Sequence, residues 1–181
     1  MSYHHQVSSI PLNQHHHVSS SHFKVSSRIT CSIASYYTTL LGACIILLDS
    51  ISAWKPPLNR IQVLGLSGNS ISCIGAGAVA RAIASEGGSR ITRLFLNENS
   101  LLGNQGASAI CRAAVRHEHL LRLGLSHCGL DGAEVAKALS ALLEENTILE
   151  RVCVCGNSFA ESEERAMREN PRLNFKFCGS E

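Results

Sequence analysis

A glycine-rich stretch is the first segment whose residue types and spacing suggest chemistry. Residues 75–80 read Gly-Ala-Gly-Ala-Val-Ala, which is similar in composition to the turn that places amide groups on a pyrophosphate at a helix N-terminus. That chemistry requires the first glycine to turn directly from strand to helix. Here eight residues, 67–74, separate the strand predicted around Leu64 from Gly75. We therefore interpret these glycines as packing residues of a helix and predict no cofactor.

Cysteine is the second residue type that could do chemistry. The thiols of Cys153, Cys155 and Cys178 are possible zinc ligands, but a C-x-C pair without an evident fourth ligand does not make the tetrahedral site that zinc prefers. The eight cysteines lack the regular pairing of a disulfide framework, and Cys111 and Cys128 fall at apolar positions of the pattern described below. The sequence therefore predicts reduced thiols, a cytoplasmic protein and no metal site.

Catalytic and nucleic-acid-binding patterns are absent from the sequence. No serine or cysteine nucleophile has an identifiable base partner, and neither a His-Glu metal motif nor a phosphate loop occurs. A formal charge of +2 with 17% charged residues is too balanced for a nucleic-acid-binding surface, whereas 45% hydrophobic residues are enough for a continuous core. These observations predict that the protein is not an enzyme and does not bind nucleic acid.

An eleven-residue phrase occurs four times between residues 61 and 159. Its first, fourth, sixth and eleventh places are apolar, and its ninth place is Asn or Cys. The fourth places are separated by 30, 29 and 29 residues. The four copies are Ile61, Leu64, Leu66, Asn69, Ile71; Ile91, Leu94, Leu96, Asn99, Leu101; Leu120, Leu123, Leu125, Cys128, Leu130; and Leu149, Val152, Val154, Asn157, Phe159.

Each phrase predicts one strand followed by one helix. The apolar period is two residues at the fourth and sixth places, as in a strand, and it then becomes helical. We also expect Asp131 and Glu134 to form a capping box on the third helix. A single unit cannot bury its own apolar face, so the units must stack, and the ninth-place side chains can bond turn backbone from unit to unit. The predicted helix stripes are Gly75, Ala76, Val79, Ala80, Ile83; Gly106, Ala107, Ile110, Cys111, Ala114; and Ala136, Leu139, Leu142, Leu143.

This pattern resembles the ribonuclease-inhibitor class of leucine-rich repeats, which also occurs in NOD-like receptors and the Ran GTPase-activating protein. The resemblance covers about residues 58–177. It implies an α/β leucine-rich-repeat solenoid, a short horseshoe arc of about four strand–helix units, with a parallel sheet on the concave side, helices on the convex side and a protein-binding function. The chain departs from a strict repeat where Gly132 follows Leu130 by only two places and where residues 87–89 lengthen the first unit.

The places between the apolar residues predict a partner-binding surface, because they point out of the core. The third place carries Arg93, Arg122 and Arg151 in successive units. Arginines on adjacent parallel strands would stand about 4.8 Å apart at the backbone and repel, a cost that splaying, water and nearby Glu98 or Glu150 partly offset. We expect an acidic protein partner here; the alternative is a solvated ladder without a role. The predicted site residues are Arg93, Phe95, Glu98, Arg122, His127 and Arg151.

The N-terminal third predicts different behaviour. Residues 1–28 are rich in Ser and His and are expected to be disordered. Residues 29–57 begin with twenty uncharged residues, 29–48, which is the length of a membrane span. Because Ser and Thr dilute their first half, we favour a helix that caps the repeat stack over two alternatives, a membrane anchor and a segment with no settled structure. Pro56 and Pro57 end that segment, and residues 58–181 are predicted to form the repeat domain.

The sequence therefore favours a protein–protein interaction module that binds through the concave face. Two alternatives stay open: a regulatory fragment of a GTPase-activating or NOD-like receptor protein, and a truncated gene product.

Overall fold

The computed structural model of the protein describes residues 28–30, 61–85 and 90–176. From β2 onwards strands and helices alternate, as expected for one strand and one helix per repeated unit. The elements are β1 Arg28–Thr30, β2 Val63–Gly65, α1 Cys73–Ala84, β3 Arg93–Phe95, α2 Gly103–Ala114, β4 Arg122–Gly124, α3 Ala133–Glu145, β5 Arg151–Cys153, α4 Glu161–Arg168 and β6 Leu173–Asn174.

The strands form one parallel sheet in chain order, β1 to β6. Its register follows the repeated phrase, because Leu64 pairs with Leu94, Leu94 with Leu123 and Leu123 with Val152. The predicted α/β class and the parallel sheet are confirmed for the described residues. This arrangement of strands and helices is consistent with that of leucine-rich repeats.

The core lies between the sheet and the helices. All fourth-place and sixth-place side chains of the four phrases are buried, and so are the predicted helix stripes. The second unit differs at its eleventh place: Leu101 is 59% exposed, whereas Leu102 is 1% exposed. The turn after Asn99 holds one more residue before the chain re-enters the core, so Leu102 takes the place predicted for Leu101.

The ninth-place side chains join the units, as predicted. The Oδ1 atom of Asn99 accepts hydrogen bonds from the Asn69 and Ile71 amides at 3.0 and 2.8 Å, and its Nδ2 donates to the Leu66 and Leu96 carbonyls. Asn157 bonds the third unit in the same way. A single fully buried amide thus satisfies backbone groups of two units, which fixes their spacing.

Cys128 fills the ninth place of the third unit with different chemistry. Its thiol donates to the Leu96 carbonyl at 3.1 Å. Burial, opposed by a hydrogen bond from the Asn99 backbone, raises the pKa of this thiol to about 11. A thiol replaces only part of an amide's bonding, because it is a weak donor and acceptor.

The predicted capping box is wrong. Helix α3 begins after Gly132 at φ 77°, and no side chain bonds its first turn. Asp131 instead pairs with Asn104 of the preceding unit: its carboxylate accepts from Nδ2 at 2.6 Å, and its amide donates to Oδ1 at 2.9 Å. Gly132, and not Asp131, stands at the N-cap position, and the Asp131 carboxylate joins two units instead.

Several elements at the ends of the sheet were not predicted. Strand β1 pairs Arg28 with Val63, and β6 pairs Leu173 with Val152. The Arg172 guanidinium closes the end of α3, where it donates to the carbonyls of Leu143, Asn146 and Leu149. The remainder of the predicted segments 1–28 and 29–57 lies outside the described residues. Among the helices that the structure describes, none has the length and apolar character to cross a membrane.

The cysteines only partly follow the prediction of reduced thiols. Cys73, Cys111, Cys128 and Cys155 carry free thiols, and Cys111 and Cys128 are buried in the core. Cys153, in contrast, is disulfide-bonded. The prediction that every thiol is reduced is therefore wrong at Cys153.

Candidate binding face

The sheet face opposite the helices carries the predicted arginines side by side. Because side chains alternate along a strand, residues next to buried Leu94, Leu123 and Val152 point away from the core. The register pairs Arg93 with Arg122 and Arg122 with Arg151. We call these three residues the arginine ladder. Parallel pairing puts successive members about 4.8 Å apart at the backbone.

The arginine ladder is open to solvent to different degrees. Arg93 and Arg122 are half-buried, and Arg151 is exposed. Within the described part of the chain, neither Arg93 nor Arg151 forms an ion pair. These two guanidinium groups therefore have no ion-pair partner among the described residues.

Phe95 lies beside the arginine ladder on the same face of the sheet. It is half-buried, and its partners across the two neighbouring strands are Gly65 and Gly124. Gly124 is required by the Asn97 side chain, since an added Cβ would lie 2.7 Å from Asn97 Oδ1. That Oδ1 accepts a hydrogen bond from the Ser126 amide at 3.0 Å. The two glycines place no side chain of their own beside the ring, and the Asn97 side chain lies over Gly124.

The eighth place of every phrase has a left-handed backbone. The φ angles are 69° at Gly68, 60° at Glu98, 53° at His127 and 67° at Gly156. We call these four residues the eighth-place column. Glycine adopts this conformation at no steric cost, whereas other residues do so uncommonly. The two middle units therefore carry side chains, both exposed, where the outer units carry glycine.

Glu98 and His127 point in opposite directions along this column. A Cβ atom added to Gly68 would lie 4.0 Å from Oε2 of Glu98, so the carboxylate leans towards the first unit. A Cβ atom added to Gly156 would lie 2.1 Å from Cε1 of His127, so the imidazole lies over the fourth unit. The His127 ring occupies the space left by Gly156, whereas the Glu98 carboxylate only approaches Gly68.

The structure brings five of the six predicted site residues into two adjacent units and the sixth, Arg151, into the next. Other residues of the same strands are less accessible than the sequence suggested. Gly124 and Cys153 at the fifth place, and Asn97, Ser126 and Cys155 near the turn, are buried. The accessible face is therefore narrower than predicted and is concentrated on the arginine ladder, Phe95 and the middle of the eighth-place column.

Two features that position this face were not predicted from the sequence. The left-handed eighth place was signalled by glycine in the first and fourth units. A second recurring polar place lies three residues before the third and fourth phrases: Nδ1 of His117 accepts from the Leu120 amide, and Oδ1 of Asn146 accepts from the Leu149 amide. Asn146 also donates to the His117 carbonyl. These buried bonds hold the chain where it enters each strand.

The described residues offer little for catalysis or metal binding. No group of three or more His, Cys, Asp or Glu side chains among them could hold a metal ion. A groove of about 440 Å³ lies between α3 and α4, and its lining is mainly Ala and Ser with Lys137, Glu144 and Glu163. It holds no paired nucleophile and base.

Comparison with known proteins supports the fold. The sequence matches no protein-family profile and no curated protein. Among solved structures, the chain is similar to Leiomodin-1 Actin-Binding Site 2, with a TM-score of 0.59 and 18% sequence identity over 80% of this chain and 77% of that chain. At this identity the likeness concerns the fold. The neighbour is, by its name, a binding domain.

Proposed function

We propose that this chain is a protein-binding module, a leucine-rich-repeat solenoid that binds a partner through the concave face of its sheet. The observation that carries the proposal is the register of the arginine ladder, since it aligns three cationic side chains beside a half-buried aromatic residue. Arg and aromatic residues are enriched at protein interfaces. The fold neighbour, named as an actin-binding site, supports protein binding in general and does not identify actin as the partner of this chain.

The proposed partner presents an acidic segment across the strands. Arg93 and Arg151 are separated by two strand spacings, or about 10 Å. That distance is spanned by about three residues of extended chain. A guanidinium binds a carboxylate through two parallel hydrogen bonds, which gives orientation as well as affinity. A short run of Asp or Glu residues therefore matches the arginine ladder in both charge and length.

A pull-down tests this proposal. The 181-residue chain is immobilised as wild type, Arg122→Glu and Lys137→Glu. Lys137 is an exposed residue of α3 on the opposite side of the sheet, so its reversal is the matched control. A direct partner should be retained by the wild type and by Lys137→Glu and lost by Arg122→Glu. Equal retention by all three proteins would exclude the sheet face as the contact.

The cytoplasmic location also stays a proposal. Four free thiols among the described residues support a reducing compartment, whereas the disulfide at Cys153 opposes it.

Residues 29–48 are proposed to cap the stack. Carbonate extraction decides between the cap and a membrane anchor, because an anchored chain stays in the membrane pellet.

A further inference from the structure

Glu98 occupies a backbone conformation that its residue type disfavours. Its φ of 60° lies in the left-handed region, which is sterically unfavourable for an L-residue other than Gly and which Asn, Asp and His adopt more readily than Glu. The first and fourth units avoid this cost with Gly68 and Gly156. Strain of this kind is commonly retained at binding sites, so the glutamate side chain calls for a role beyond the fold.

Among the described residues, the Glu98 carboxylate has no ion-pair partner that would explain the strained backbone. The side chain is exposed. Its carboxylate leans over Gly68, which has no side chain to cover it. The negative charge therefore remains available to a ligand at this end of the sheet face.

Glu98 also has the opposite charge to the arginine ladder on the same face. It follows Arg93 by five residues, a separation of at most about 16 Å along a strand. A purely acidic ligand extending from the arginine ladder towards the eighth-place column would be repelled at Glu98. A ligand with a basic side chain at that point would instead be attracted to both regions.

We propose that Glu98 is a specificity-determining residue that receives a Lys or Arg side chain of the partner segment whose acidic residues lie on the arginine ladder. This inference rests on the proposed function of the same face. It defines the partner more closely: a segment with a short acidic run and, within about five residues of it, a basic residue. Selectivity then arises because acidic segments without that base leave Glu98 facing like charge.

Fluorescence anisotropy of two labelled synthetic peptides, which measures their binding to the 181-residue chain, tests the inference. One carries four Glu residues, a four-residue Gly/Ser spacer and a Lys; the other has Gln in place of Lys, and both are made in the two chain directions. At low salt the wild type should bind the Lys peptide about fivefold more tightly in one direction, as expected for a single exposed charge pair. Glu98→Gln should abolish this preference, and Glu134→Gln on exposed α3 should retain it.

Glu98→Gly provides a second variant because glycine is native at this place in the outer units. It should melt at or above the wild-type temperature and still lose the preference for the Lys peptide. Equal binding of both peptides by the wild type, or a preference that survives in Glu98→Gln, would overturn the role of Glu98 and leave the arginine ladder standing. If neither peptide binds the wild type, the proposed function fails and this inference fails with it.

Discussion

The imidazole ring of His127 lies over Gly156 of the following unit so closely that a Cβ atom on Gly156 would come within 2.1 Å of His127 Cε1. The fourth unit thus accommodates a side chain of the third because it has none of its own. Gly156 itself has a φ of 67°, so two physical constraints act on one residue.

A double-mutant cycle separates these two constraints. Gly156→Ala should destabilise the protein by about 1 to 2 kcal/mol, since it adds left-handed strain and forces the exposed His127 ring to move aside. In the His127→Gly background the same change should cost only the strain, about 1 kcal/mol. Chemical denaturation of the four proteins measures the coupling. Additive losses would show that the ring does not lie over Gly156.

The adjacent residues Leu101 and Leu102 give a matched test of the core. Leu102→Ala should cost about 2 to 5 kcal/mol because it opens a cavity between buried side chains. Leu101→Ala should change stability by less than about 0.5 kcal/mol, since Leu101 is 59% exposed. Denaturant melts of both variants decide the register of this turn. A larger loss of stability from Leu101→Ala than from Leu102→Ala would show that the second unit follows the strict repeat, with Leu101 in the core.

Truncation of the Asn99 side chain should cause a large loss of folding stability. Asn99→Ala removes the acceptor for two buried amides and the donor for two carbonyls. Each buried group left without a partner costs about 1 to 3 kcal/mol, so we expect a total of at least about 3 kcal/mol. Asn104→Ala is the control, because its bonds to Asp131 are exposed. Comparable losses in the two variants would contradict the joining role of Asn99.

The buried thiol of Cys111 predicts a pH dependence at the alkaline side. Burial, opposed by the nearby positive charge of Arg112, raises the Cys111 pKa from 9.0 to about 12. The unfolded chain loses this proton near pH 9, whereas the folded chain keeps it. The contribution of the protonated thiol to folding stability is therefore complete below pH 9 and is lost as the pH rises from 9 towards 12.

Stability curves of wild type and Cys111→Ala between pH 7 and 11 measure this effect. The wild type should lose stability above pH 9 more steeply than the variant, by up to about 1.4 kcal/mol per pH unit. Parallel curves would mean that Cys111 ionises alike in the folded and unfolded chains. The difference between the curves is the readout, since other groups titrate in both proteins.

The repeated phrase predicts the sheet register and most of the core, because a strand buried on one face admits a single phase of apolar residues. It does not predict the shift from Leu101 to Leu102, since both residues are leucine and turn length decides which is buried. The bond between Asn104 and Asp131 was also out of reach, as it depends on two units 27 residues apart.

The alignment of the arginines in the candidate site could be predicted from the sequence, but the backbone conformation at Glu98 could not. The third place of the repeated phrase predicts that Arg93, Arg122 and Arg151 lie in one column, and the strand register confirms this alignment. Their role in binding stays a prediction. The strain at Glu98 was not foreseen because backbone dihedral angles follow from the turn, although glycine at the same place in two other units indicated it.

The most direct test of the central claim is the salt dependence of binding of a labelled acidic peptide to wild type and Arg122→Glu. The wild type should bind a peptide with a run of Glu residues at low salt and release it as ionic strength rises, because exposed charges are screened over about 8 to 10 Å near physiological salt. Arg122→Glu should reduce the affinity at least tenfold, and Lys137→Glu should leave it nearly unchanged. Equal affinity of wild type and Arg122→Glu at every salt concentration would contradict the assignment of the arginine ladder as the partner-binding face.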